Sequence, residues 1–361
     1  MQTLEMISAL SNACGPSGFE DDALRAVRQF APAGYALAGD ALNNLYLRRE
    51  NADGAKPVLQ LDAHSDEVGF MVQAVRPNGT LRFIALGGWV NSNIPAHRVR
   101  VRTRFGTWIP GVVAAKPPHF MSEAEKGRTT EIEDMSIDIG ASSAEEAIQD
   151  FGVRIGAPVA PDVQFSYDEA HDLMFGKAFD NRLGCAAVLA TLERLGMDEL
   201  AVDPVGALAA QEEVGTRGAE VTARTVKPAL AIAFEGSPAD DTVVEPYLAQ
   251  TAIHKGPMLR HIDKRMITSP RFQRYALDLA GELGIPAQES VRSGGSTDGA
   301  PIHLSNDGVP TIVIGLPVRY IHSHWGIASL SDFTHAVDLA EAVIRRLDAA
   351  TIAAFRGGAL A

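Results

Sequence analysis

Five short stretches of this 361-residue chain place acids and imidazoles where they could do chemistry. "HSDE" carries His64 and Asp66, "FDNR" carries Asp180, "QEE" carries Glu212 and Glu213, "AFEG" carries Glu235, and "YIHSH" carries His322 and His324. Four of the five follow an apolar run that reads as a buried strand: "PVLQLDA", "DPVGALAA", "PALAIAF" and "PTIVIGLPV". The fifth, Asp180, stands at the start of an apolar helical pattern. Open α/β sheets collect their ligands beyond the C-terminal ends of their strands, so these residues converge on one rim of one sheet. Taken singly, each has a plain structural role. Asp180 suits a helix N-cap, the glutamate pair suits a solvated strand end, and Asp66 suits a loop. Five such sites on one rim are better explained together.

The collected side chains are His, Asp and Glu, without Cys, a donor set that suits zinc, cobalt or manganese. There are more carboxylates than one zinc needs. A carboxylate shared by two ions would hold them roughly 3.5–4 Å apart, as in hydrolytic two-metal sites, with room for a bridging water. A nearby carboxylate left free of the ions would then be the general base. "QEE" is the odd element of this set, because adjacent strand residues point to opposite faces.

The elements that must position these residues alternate between strand and helix. The N-terminus reads as two helices, with Gly15 stopping the first and Ser17 as N-cap of the second, followed by strands in "ALNNLYLRRE" and "PVLQLDAH". From about residue 170, helical stretches "FDNRLGCAAVLATLERLG", "RGAEVTARTV", "SPRFQRYALDLAGELG" and "SLSDFTHAVDLAEAVIRRL" alternate with apolar strands. The predicted fold class is therefore α/β, a mixed sheet sandwiched by helices. Between residues 67 and 166 the texture changes to short β-rich runs, with a hairpin signal at Pro77–Gly79 and one capped helix at Ser143–Glu146. The predicted organisation is one catalytic domain, residues 1–66 and 167–361, with a small inserted β-barrel or sandwich at 67–166. The Ala-rich tail after Ala349 is expected to fray.

Composition narrows the function classes. Net charge −13 argues against binding nucleic acid. Two cysteines, Cys14 and Cys185, allow no disulfide framework and no Cys-based zinc site, and suit the cytoplasm. The start lacks the pattern of a signal peptide, and no apolar run reaches the roughly 18 residues that span a bilayer.

Read together, "DAHSDEVGFMV", "GGW", "KPPH", "IEDMSIDIGASS", "GKAFDNRLGC", "QEEVGTRGA", "GGSTDGAPIH" and "GVPTIVIGLPVRYIHS" resemble the M42 family of metallo-aminopeptidases, nearly end to end. The resemblance implies two divalent ions per subunit, zinc or cobalt. His64, Asp180 and Glu235 would hold one, and Asp180, Glu213 and His322 the other, with Asp180 bridging. Glu212 would be the base, and Asp66 would support His64 from the same face of an extended strand. It also implies that residues 67–166 dimerise and that dimers assemble into a homododecamer. Three departures from the common family pattern stand out: Asn181 and Glu235 in place of aspartates, and the "GGSTDGAPIH" loop. His324 lies beyond the matched motif and is not counted as a ligand. Arg292 and Arg319 lie near the site motifs, where they would favour acidic side chains, although an arginine in such a place is more often structural or at the surface. The implied activity is removal of N-terminal residues from short peptides. A deacylase or amidase on the same site, an endoglucanase and a non-enzymatic metal-binding scaffold are the alternatives.

Overall fold

Strand order decides which of these residues can meet. A computed structural model describes residues 2–357. Eight strands hydrogen-bond in the order Tyr35–Gly39, Leu45–Arg49, Asp203–Ala209, Val58–His64, Leu230–Pro238, Thr311–Val318, Met258–Ile262 and Gln288–Val291. The four from Asp203–Ala209 to Thr311–Val318 run parallel and are buried along nearly their whole length. That is why they read as continuous apolar runs. Their register sets the level at which each strand end emerges. Ala209 pairs with His64 and Ala233 with Asp62, so Glu235, two residues on, stands level with His64.

The pleat divides Val58–His64 between two faces. Leu59, Leu61 and Ala63 enter the large core beneath helices Gln2–Asn12, Phe179–Leu195 and Leu330–Arg346. Gln60, Asp62 and His64 face the other way, where the core is thinner. There Ala209, Ala219, Ala223, Ala231, Ile302 and Val309 pack beneath helices Arg217–Val226 and Gly299–His303. Small alanines on this face leave space for polar groups: Gln60 Nε2 donates to Asp62 Oδ2 at 2.7 Å and to Thr222 Oγ1 at 3.1 Å.

A second sheet closes on itself. Its strands are Gly69–Val75, Leu81–Leu86, Ser136–Asp138, Trp108–Ala114, Arg98–Arg102 and Pro158–Pro161, a six-stranded antiparallel barrel. Its core is its own, including Phe70, Phe83, Val99, Val101, Val113, Ile137 and Val159. The Pro77–Gly79 signal is a hairpin turn, with Gly79 at φ +87° and Arg76 N–H donating to Thr80 O at 2.8 Å. Ser143 caps helix Ala144–Gln149 by accepting from Glu146 N–H at 3.1 Å. The reciprocal half goes elsewhere, since Glu146 accepts from Ser142 N–H at 2.7 Å.

Several expectations are corrected. Ser17 is not a cap: helix Asp21–Gln29 begins after Glu20, and the Ser17 hydroxyl donates to Asp66 Oδ2 at 2.6 Å. The tail does not fray over the described residues. Ala349–Phe355 is a helix, capped by Asp348 and held by buried Ile352 and Phe355; residues 358–361 lie outside the described part. Tyr35–Gly39 and Met258–Ile262 are strands without a clear signal in the sequence. So is a three-stranded antiparallel sheet of Ser166–Asp168, Leu173–Gly176 and Gly326–Ser329. These strands are short, and most sit at edges where burial demands little of the pattern.

Candidate active site

The sheet rim brings the predicted residues together. His64 closes its strand fully buried, and Ser65 N–H still donates to Ala209 O at 2.7 Å. Beyond Ala209 the neighbouring chain turns, with Gln211 at φ +57°. Asp66 fixes that turn. Its Oδ1 accepts from Glu212 N–H at 2.9 Å, and its Oδ2 accepts from Glu213 N–H at 3.2 Å and from Ser17. His64 Nδ1 faces the same carboxylate at 3.3 Å, which leaves Nε2 directed into the site. One buried aspartate thus faces the imidazole and fixes the backbone of the glutamate pair.

The two glutamates go to different places. Glu212 Oε2 lies 3.9 Å from His64 Nε2, and Glu213 Oε2 lies 3.4 Å from His322 Nε2. Asp180 stands between the imidazoles, its Oδ1 3.1 Å from His64 Nε2 and its Oδ2 3.5 Å from His322 Nε2. Glu235 Oε1 completes the His64 side at 3.8 Å. Asp180 is not a helix cap. Its carboxylate faces the two imidazoles and accepts from no N–H of the helix, and its chain crosses directly over Gly236. A Cβ at Gly236 would lie 2.5 Å from Asp180 Cα, so only glycine permits this approach. Asn181 donates to Phe234 O at 2.8 Å and accepts from Gly184 N–H at 3.1 Å, so it anchors the bend.

The electrostatics describe anions crowded together out of water. Burial first, then neighbouring carboxylates, push Glu212 and Glu213 well above the usual carboxylate range and Glu235 up to about 7. Burial alone would lower His64 and His322, but Asp180 beside both holds them above their ordinary value. Asp180 is depressed despite burial, because it faces two imidazoles. Such a cluster fits divalent cations. His64, Asp180 and Glu213 each offer an atom, all within 4.8 Å of one another. Glu213 Oε1 and Glu235 Oε2 are buried with no hydrogen-bond partner. Cations would supply the missing partners and relieve the repulsion.

The rim opens into a cavity of about 720 Å³. Asp180, Glu212, Glu213, Glu235 and His322 line its floor, and Arg260, Arg265 and Arg292 stand along its wall. No Trp, Tyr or Phe is among the described lining residues. Arg292 therefore sits where expected. Its Nη2 donates to Asp240, Thr251 and Pro238, and its Nε is buried without a partner. Arg319 does not line the cavity. It is committed to a two-point bridge with Asp241, at 3.1 and 2.7 Å. Arg260 escaped notice in the sequence because Met258–Ile262, which delivers it, carries no strand signal, and Arg265 because it stands in the bend that follows that strand. Asp298, in the "GGSTDGAP" loop, also escaped: its carboxyl is buried near Asp62 and raised well above its ordinary value, by burial first and Asp62 second.

With this geometry the comparisons become informative. The M42 glutamyl aminopeptidase family matches residues 43–339. This chain belongs to the M42 peptidase family. As an M42 member it is an aminopeptidase and a hydrolase, from a family of metal-dependent enzymes. A glutamyl aminopeptidase of Lactococcus lactis subsp. cremoris is 33% identical over 98% of this chain and 99% of its own length. The crystal structure of a TET aminopeptidase from the marine sediment archaeon Thaumarchaeota archaeon SCGC AB-539-E09 superposes with a TM-score of 0.92. It is 36% identical, and 98% of this chain and 99% of that one are covered. The Pyrococcus horikoshii TET1 peptidase, which can assemble into a tetrahedron or a large octahedral shell, is 28% identical. It superposes at 0.85 over 96% of this chain and 100% of its own. The M42 fold thus accounts for both the mixed sheet and the barrel. No described helix is long and apolar enough to cross a membrane.

Proposed function

We propose that this M42 aminopeptidase holds two divalent ions, zinc or cobalt, and removes acidic N-terminal residues from short peptides. The observation that carries the reading is Asp180 standing between His64 and His322 with one oxygen toward each. His64, Asp180 and Glu235 would hold one ion; Asp180, Glu213 and His322 would hold the other. When bound, the ions supply Lewis acidity for the scissile carbonyl and acidify the attacking water. Glu212 is the general base: it lines the cavity beside His64 and belongs to neither ligand set, so its carboxylate is free to take a proton from water and pass it to the leaving amine. Asp66 keeps His64 in the tautomer that presents Nε2. Arg292 and Arg265 on the cavity wall, with Arg260 behind, attract a substrate carboxylate.

The lack of aromatic platforms in the cavity speaks against a sugar substrate, and a peptidase reading uses every group on the floor. Residues 67–166 form the barrel domain through which copies pair, and pairs assemble toward a dodecamer of the kind the TET neighbours suggest. The site of action is the cytoplasm, in keeping with two free, buried cysteines. Nucleic acid and membranes are not partners on this reading. The test is Glu212→Gln. Metal content stays at the parent level while kcat on glutamyl-anilide falls by on the order of 10²–10⁴. Unchanged kcat rejects the base.

A further inference from the structure

His322 reaches the site from an exposed loop whose own side-chain bonds centre on one residue, Ser323, which donates to Tyr320 O at 2.7 Å and to Trp325 O at 2.9 Å. Tyr320 and His322 both adopt left-handed backbone conformations, at φ +66° and +57°. Residues that are not glycine stay in this region only where their surroundings hold them. The base of the loop is closed by paired backbone bonds between Arg319 and Ile327, at 2.9 and 3.2 Å. Its tip is held from outside the sheet. His324 is only 1% exposed; its ring nitrogens make no hydrogen bond of full geometry, though one approaches the backbone of Asn93 on the barrel side. Most of the ring's contact is made by its faces. One face stacks on His97 of the barrel, with centroids 3.9 Å apart and planes 10° apart. Trp89 of the barrel lies 5.1 Å away and is itself stacked on Phe70 at 4.7 Å, inside the barrel core. Trp89 Nε1 donates to Gly69 O at 3.1 Å, and His97 O accepts from Val113 N–H at 2.9 Å, so both partners are fixed to barrel strands. The barrel also approaches His322 directly: a Cβ at Gly88 would lie 3.0 Å from His322 Nδ1.

We propose that His324 is a positioning residue: wedged between Trp89 and His97, it lets the barrel hold the His322 loop, and thereby sets the affinity of the ion on the His322 side. The barrel then does two jobs, since it completes one of the two metal sites of the same chain. The inference rests on the two-ion reading above and adds an unequal dependence. The ion at His64, Asp180 and Glu235 would rest on two strand ends and the Asp180 bend, away from the barrel stack, whereas the ion at Asp180, Glu213 and His322 would depend on that stack.

The experiment titrates metal-free protein with Co²⁺ and follows cobalt absorption and bound metal per chain, for the parent, His324→Ala, His97→Ala, His324→Phe and His322→Ala. The expected result is two ions in the parent. One of them is weakened about 10-fold or more in His324→Ala and His97→Ala, while the other stays within about twofold. His324→Phe, which keeps a flat ring in the stack, retains both ions, and His322→Ala loses the ion that the alanine variants weaken. His97 is half-buried on the barrel, so its variant keeps the test open if His324→Ala fails to fold. Parent-like binding of both ions by His324→Ala and His97→Ala overturns the proposal. So does equal weakening of both ions with a lower Tm, the mark of a general packing defect. A His322→Ala variant that binds both ions like the parent instead overturns the two-ion reading beneath it.

Discussion

At the scale of residues, the site is an economy of shared carboxylates. Asp66 meets His64, Ser17 and the backbone of both Glu212 and Glu213, and Asp180 meets both histidines. Substrate preference belongs to single residues as well. Arg292→Met should lower kcat/KM for glutamyl-anilide by about 10–100-fold relative to leucyl-anilide, the cost of an unanswered charge-assisted contact. Parallel loss on both substrates would remove Arg292 from specificity. Acid–base behaviour adds a third expectation. Glu20 is pushed up to about 7 from 4.5, by burial first and by Asp66 second. The folded protein therefore holds a proton that the unfolded chain releases between these values. Its stabilising contribution is full below about pH 4.5 and is lost as pH rises through about 7. Denaturant unfolding between pH 5 and 8 should show the parent losing of order 1–3 kcal/mol more than Glu20→Gln. Identical slopes would remove Glu20 from the linkage.

At the scale of elements, the sheet rim was legible in sequence because buried parallel strands are apolar throughout, and polar residues mark their ends. His64, Glu235 and the "QEE" turn could be placed that way. Asp180 was visible as a polar residue ahead of an apolar helix, but its position between two histidines depends on a bend that propensity does not encode. The register of Leu230–Pro238 and the missing side chain of Gly236 allow that bend to close. Gly236→Ala would put a methyl group 2.5 Å from Asp180 Cα. We expect it to cost about 1–3 kcal/mol in stability, and to lower kcat and metal affinity together. Parent-like metal binding would show that the bend can shift without harm. Ser17 and Arg319 were misread for one reason: their roles depend on contacts between residues far apart in the chain, with Asp66 and with Asp241, which local pattern cannot report.

At the scale of the whole molecule, an excess of acid serves two ends. Net charge −13 is spread over the chain, yet the cavity opposes a carboxylate floor to an arginine wall. Two cations on that floor would turn an anionic trough into a site able to receive an acidic substrate. The barrel meets the sheet rim beside this cavity, where Gly87 approaches Glu213 and Gly88 approaches His322. The central claim is that Asp180 joins two metal sites in one chain, and counting ions tests it most directly. Metal per chain should be measured after zinc or cobalt loading of the parent, His64→Ala, His322→Ala and Asp180→Ala. The account predicts two ions in the parent, one in each histidine variant and none held tightly by Asp180→Ala. A parent that saturates at one ion, or an Asp180→Ala variant that keeps two, would contradict it.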